Sequence, residues 1–409
     1  MSLITEFEAL DPVLIQHPGD RAVLSMFEKR KLLAKISSEF IDFLMRQNEV
    51  LIMGNGLHIT EKSMPELYAL YKECCDALEV KNMPQLYLSD QPISNAFACG
   101  ADRAYINITS GLLFRLKPDE IKYVLGHELG HIICGHSKFN LIIQWILSLG
   151  ESQVPGSGIL KTGLDISVLP LMLLWGRRSE YSADRAGLLA SRNINATYST
   201  FMKFCGLPYD YDDKVAPLAI LEQAKNFQRT MNESFLDKVY GAMNQLYATH
   251  PRPIERAAEL KEWVDEGFFN EIVDSSPASR QRLADMLRQD PKEVEFTFQV
   301  IRTVISWAEQ KFKIEREKLA PIIRKGILEQ ASFKHTLAAP ILRIEASIIP
   351  EGTNDVIYEL SILYNDNGSP VRDIIALPMP KSRDYLSDNL AKELINNKNE
   401  KISYLIYSV

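Results

Sequence analysis

The chain has 409 residues, 46% of them apolar and 24% charged, with a net charge of -7 and a pI near 5.7. That length exceeds the size at which one hydrophobic core stops growing, so two domains are expected rather than one. The apolar fraction is ordinary for a soluble globular protein, and the acidic balance argues against nucleic acid as a general partner.

The N-terminal stretch carries early acids and no long apolar core, so no signal peptide is expected. Residues 20 to 47 have a helical period, with Leu24, Phe27, Leu32, Ile36, Phe40 and Leu44 among the apolar positions. A helix is expected from Pro65 to Leu78, and Gln85 to Leu88 forms a short strand candidate. Asn95 to Cys99 and Ala104 to Ile108 then predict a hairpin turning through Gly100 to Arg103. Pro118-Asp119-Glu120 marks a helix start, its acids suited to the positive end of the dipole, and that helix runs toward Gly135. Gly150 to Gly158 is a weakly structured crossing, and a helix through Glu180 continues to Leu189. Further helices are expected over 194 to 204, 215 to 227 and 231 to 246, and from Ile254 to about Asp265 after the rigid bend His250-Pro251-Arg252-Pro253.

Around Ser275 to Ser279 the composition changes, which places a domain boundary there: residues 1–274 and residues 275–409. Helical segments are expected from 280 to 332. Alternation after Pro340, Val356 to Tyr364, Val371 to Leu377 and Ile402 to Val409 predict strands, with a helix from Ser382 to Ile395. The fold class is α+β: a mostly helical domain with a small β-sheet, followed by a smaller helix-plus-sheet module. Two apolar segments, Phe139 to Leu149 and Ser167 to Trp175, are each too short to span hydrocarbon as a helix. No transmembrane span is expected, while a peripheral membrane or protein contact through 139–175 stays open. The five cysteines are odd in number and lack C-x-x-C spacing, which points to a reducing, cytoplasmic compartment.

Chemistry concentrates in two short patterns. His127-Glu128-Leu129-Gly130-His131 places two imidazoles four residues apart, on one face of a helix. Glu128 is rotated from His127 by about 100°, out of their alignment but within reach of an attacking water as general base. Gly126 and Gly130 each cost that helix about 1 kcal/mol, and a tight approach of a partner helix or substrate would explain them. About fifty residues on, Glu180-Tyr181-Ser182-Ala183-Asp184 puts two carboxylates at the same spacing. One can complete a three-ligand site for a catalytic zinc ion with an open position, and the other can accept a hydrogen bond from a ligand histidine. His136 lies five residues after His131, where a glycine-bent metzincin loop would instead put glycine at 134 and histidine at 137. It is therefore expected at a helix end or core edge. Cys134, on the same helix, is expected to be a buried apolar thiol rather than a ligand.

These two patterns, with Asn95-Ala96-Phe97-Ala98 and Thr109-Ser110-Gly111-Leu112-Leu113, resemble the M48 family of zinc peptidases, the gluzincins that include the heat-shock protease HtpX and the CAAX prenyl protease. The resemblance covers roughly residues 15 to 265, and His17-Pro18-Gly19-Asp20-Arg21 is similar to the start of soluble bacterial members. It implies a zincin-like domain with one Zn2+ held by His127, His131 and Glu180, and Asp184 behind the ligands. It also implies a cleft bordered by Asn95, Ala96 and Phe97, where an extended peptide adds as a strand. His250-Pro251 and Arg256 are similar to the family's late His-Pro segment and following arginine. His250 would donate to the oxyanion or serve as a turn residue, and Arg256 would fix the cleft wall or pair with an acid such as Asp184. The membrane members place long hydrophobic spans around the metal site; here the stretch between His136 and Glu180 is only moderately apolar, which argues against a prenylated substrate in a membrane chamber. The expected function is a zinc endopeptidase acting on extended or unfolded protein, through a metal-activated water with Glu128 as base. The alternative is a catalytically silent, zinc-containing binding module, from which an intact Glu128 argues away.

Overall fold

The computed structural model describes residues 7–21, 23–24, 38–100, 104–137, 139–140, 169–216, 218–233, 250–274, 276–288, 291–313, 323, 340–351, 355–366, 369–377 and 402–407. The crossing at 150–158, most of the helix expected over 231–246, the helix expected over 382–395 and most of the apolar 139–175 region lie outside them. Contacts divide the chain into two compact units, Met1–Glu262 and Trp263–Val409.

The first unit sets helices around a small mixed sheet. In chain order it contains α1 (Ser38–Asn55), β1 (Leu57–Ile59), α2 (Pro65–Ala77), β2 (Gln85–Ser89), β3 (Ala96–Cys99), β4 (Tyr105–Thr109), α3 (Ser110–Leu113), α4 (Pro118–Ile133), α5 (Leu169–Ser191), α6 (Ile194–Phe204), α7 (Ala219–Glu233) and α8 (Pro253–Asp265), whose last turn begins the second unit. The strand order is β1-β2-β4-β3, with β2 and β4 parallel and both outer pairs antiparallel. Every residue of β4 is buried, as a central strand covered on both faces requires. β3 is at an edge, joined to β4 in the register Ala96↔Ile108 to Cys99↔Tyr105, and it packs against α4.

The start of α4 is fixed firmly. Pro118 occupies its first turn with Asp119 and Glu120, and the Glu120 carboxylate accepts the Lys117 N–H at 2.7 Å. The same carboxylate meets the fully buried Lys203 Nζ of α6 at 2.7 Å and the Ser199 hydroxyl at 2.6 Å. A buried charge so fully hydrogen-bonded ties the first turn of α4 to α6. The N-terminal segment is pinned to the end of α2 by Leu10 N–H to Leu78 O (2.8 Å) and Lys81 N–H to Glu8 O (2.9 Å).

In the second unit α9 (Phe268–Asp274), α10 (Pro277–Leu287) and α11 (Pro291–Phe312) precede β5 (Pro340–Glu351), β6 (Asp355–Asp366), β7 (Ser369–Leu377) and β8 (Ile402–Tyr407). The four strands form an antiparallel sheet in the order β7-β6-β5-β8. Alternation along these strands foretold the sheet, and the Trp307 indole of α11 donates to Asp373 of β7 at 2.9 Å. No helix among the described residues is long and apolar enough to cross a membrane.

Candidate metal centre

Two helices make the centre by lying unusually close. A Cβ on Gly126 of α4 would stand 2.3 Å from the Ala190 Cβ of α5, and one on Gly130 would stand 2.7 Å from the Ala186 Cβ and 3.0 Å from the Ala183 Cα. Gly187 in turn admits the Tyr123 backbone, 2.7 Å from where its own Cβ would be. The glycines that weaken α4 as an isolated helix are what allow α5 to approach it.

That approach carries Glu180 to the two histidines. His131 Nε2 is 3.2 Å from His127 Nε2 and 3.3 Å from Glu180 Oε1, and His127 Nε2 is 3.5 Å from Glu180 Oε2. All three side chains are buried, and they form a cluster able to hold a metal ion. His127 Nδ1 is 2.9 Å from Asp184 Oδ1; once the ring is neutral, as a ligand must be, donation from Nδ1 leaves Nε2 with a bare lone pair. Bare nitrogens and a carboxylate facing one another at these distances repel unless a proton or a cation lies among them. The donor set therefore fits a metal.

Asp184 is held in turn. Arg256 of α8 forks across both its oxygens, with Nε 2.9 Å from Oδ2, and the Tyr123 hydroxyl donates to Oδ1 at 2.7 Å. Burial opposes ionisation of Asp184, but the guanidinium and these hydrogen bonds outweigh it and hold the carboxyl down to about 2. Burial pushes His131 down to about 4, so its ring is neutral, as a ligand must be. Burial also acts to lower His127, yet its hydrogen bonds to Asp184 and Glu180 hold that ring up to about 9. Glu128 is buried beside the cluster, and desolvation raises its carboxyl above the usual range.

Of the other residues singled out from the sequence, His250 is 60% exposed, with Nδ1 2.8 Å from Glu180 Oε2. Asn95 is held to Thr109 through its main chain, its N–H donating to the Thr109 hydroxyl oxygen Oγ1 at 3.0 Å and its carbonyl accepting the Thr109 N–H at 3.1 Å. Ala96 and Phe97 lie on the edge strand β3, and Phe97 is 36% exposed with its ring edge-on to Tyr105. Cys134 is buried outside the donor cluster, and burial raises its thiol.

His136 is also outside the donor cluster, yet it is fully buried and touches it. Gly135, at a left-handed φ of 72°, reverses the chain after α4 so that His136 Nδ1 meets His131 Nδ1 at 3.0 Å. Asp20, which sequence reasoning did not single out alone, lies 2.9 Å from the other side of the His136 ring. The signal was there in His17-Pro18-Gly19-Asp20-Arg21, but nothing local to that pentapeptide tells which acid is buried.

The helix-borne pair of histidines and the carboxylate from a second helix form a candidate metal-binding cluster, with Glu128 buried beside it. Residues 61–264 match peptidase family M48, and the chain carries a peptidase domain of that family. It is 28% identical over 266 residues to the plastoglobule-localized metallopeptidase 48 of Arabidopsis thaliana, covering 63% of this chain and 74% of that protein. It is 27% identical over 258 residues to a protease HtpX homolog of Polynucleobacter necessarius, and 25% identical over 256 residues to one of Methylibium petroleiphilum; each match covers 58% of this chain and 87% of the relative. Among solved structures none matches significantly.

Proposed function

We propose that the chain is a zinc endopeptidase that hydrolyses peptide bonds in extended or unfolded protein segments. The observation that carries this reading is the spacing of the donors. A tetrahedron with bonds of about 2.0–2.1 Å to its corners, as zinc makes to imidazole and carboxylate, has edges of about 3.3–3.4 Å. Here the two Nε2 atoms are 3.2 Å apart and each meets a different oxygen of Glu180, His131 at 3.3 Å and His127 at 3.5 Å, with one donor atom from each of the three residues within 4.8 Å of the others. Three protein ligands leave one position for the reaction.

Bound zinc would polarise the scissile carbonyl and make water acidic enough to attack near neutral pH. Glu128 takes the proton of that water and returns it to the leaving amine, a task that suits a carboxyl raised by burial. Asp184 keeps the His127 proton on Nδ1, and Arg256 keeps Asp184 ionised and in place. We assign His250 to the substrate's carbonyl oxygen, where charge develops; its Nδ1 must exchange Glu180 for the substrate to act there. β3 offers an edge to which a peptide adds as a strand, with Asn95, Ala96 and Phe97 along the cleft. Such pairing needs backbone groups free of their own secondary structure, hence extended or unfolded substrates. We place the peptidase chemistry in residues 1–274 and treat 275–409 as a separate module.

Purified protein is expected to carry about one zinc per chain. Stripping the metal with a chelator should abolish cleavage of a reduced, unfolded protein, and added zinc should restore it. Cleavage that survives metal removal, or folded protein that takes up no zinc at neutral pH, would sink the reading.

A further inference from the structure

The two histidines of the centre are supported unequally. His127 leans on a carboxylate directly, whereas His131 leans on a second imidazole that leans on a carboxylate. His131 Nδ1 is 3.0 Å from His136 Nδ1, and His136 Nε2 is 2.9 Å from Asp20 Oδ2. Asp20 also accepts the Ser182 hydroxyl at Oδ2 (2.7 Å) and the Trp175 indole N–H at Oδ1 (2.8 Å). Asp20 and His136 are both 0% exposed. The His136 ring stands edge-on to Trp175 at 5.5 Å between centroids, so its rotation is fixed by packing as well as by hydrogen bonds.

We infer that Asp20 and His136 are positioning residues that set the tautomer and orientation of His131 for metal binding. This rests on His127, His131 and Glu180 being the ligands. With each ring neutral, the two ends of the chain of hydrogen bonds then dictate every proton within it. An ionised carboxylate only accepts, so His136 must donate to Asp20 from Nε2, which leaves His136 Nδ1 as an acceptor. His131 must therefore donate from Nδ1, and its Nε2 is left bare toward Glu180 and His127. No other placement of one proton per neutral ring satisfies both contacts. A neutral His136 turned the other way would set two donors face to face at 3.0 Å and leave its bare Nε2 against Asp20.

The relay also ties the N-terminal segment to the centre. Ser182 sits on α5 between Glu180 and Asp184; it donates to Asp20 and accepts the His17 backbone N–H at 2.8 Å. The Arg185 guanidinium of the same helix donates to the Gln16 carbonyl at 3.1 Å. The segment around Asp20 is thus a structural part of the ligand's support, although it lies more than one hundred residues before it.

The test compares wild type, His136→Gln and His136→Phe. Zinc affinity is measured by competition with a chromogenic chelator, and thermal unfolding of each metal-free protein is followed in parallel. His136→Phe is expected to bind zinc about 10–100-fold more weakly. His136→Gln is expected to recover part of that loss, because its amide can accept from His131 and donate to Asp20. Folded variants that both match wild-type affinity would overturn the inference, while a wild type that takes up no zinc would instead remove the ligand reading beneath it. Should His136→Phe fail to fold, nitrogen-15 imidazole spectra of the zinc-loaded wild type decide. Protons on His131 Nδ1 and His136 Nε2 support the relay; a proton on His136 Nδ1 overturns it.

Discussion

Glu128→Gln is expected to retain about one zinc per chain while kcat on an unfolded substrate falls about 10²–10⁴-fold. The amide has the size of the carboxylate but cannot take a proton from water. Glu128 is next to His127 in sequence but is not one of the clustered donors, so its neutral replacement leaves His127, His131 and Glu180 in place. Its buried position further favours a neutral side chain there, so the variant should fold at least as stably as wild type. Zinc content, unfolding temperature and steady-state cleavage measured on one preparation separate the outcomes. Loss of metal together with activity would mean that Glu128 has a structural part in the site. Cleavage at the wild-type rate would exclude it as the base.

Gly126→Ala is expected to destabilise the protein by about 2 kcal/mol, although alanine is the better helix former by about 1 kcal/mol. The added methyl meets the Ala190 Cβ at 2.3 Å, against ordinary carbon contacts of about 3.5–4.0 Å, and neither partner is a flexible side-chain end. Relief requires α4 and α5 to separate, and that same separation sets the reach of Glu180 toward His127 and His131. Zinc affinity should therefore fall with stability. Removing the opposing methyl, in Gly126→Ala with Ala190→Gly, should recover most of both losses, a coupling that denaturant unfolding of the two singles and the double would read directly. Purely additive losses would show that the close contact is not what sets the spacing.

The centre was legible in the sequence to the extent that its geometry is local. Four-residue spacing on a helix fixes which side chains share a face, so the pairs 127/131 and 180/184 could be placed before any tertiary contact was known. The mid-helix glycines hinted at a close neighbour, and α5 supplies it. His136 and Asp20 were not legible as a pair, because their meeting depends on a left-handed turn at Gly135 and on 116 residues of intervening chain. In the fold, helices such as 194–204 and the four strands after Pro340 followed from periodicity. β1 and α9 were not foreseen. Three residues are too few to show an alternation, and the seven of α9, just before the change of composition at 275–279, are about two helical turns, too few to show a helical period. α7 begins at Ala219 rather than at 215 and is described through Glu233, past the 227 expected for its end.

The last residue supporting the centre, Arg256, is supplied by α8, long after both sequence motifs have been made. During synthesis on a ribosome, a chain that has emerged only through Asp184 would carry His127, His131 and Glu180 but not the guanidinium that pairs with the buried Asp184. A nascent chain would thus lack that buried ion pair until nearly the whole first unit had been translated, so the order of translation delays completion of the centre.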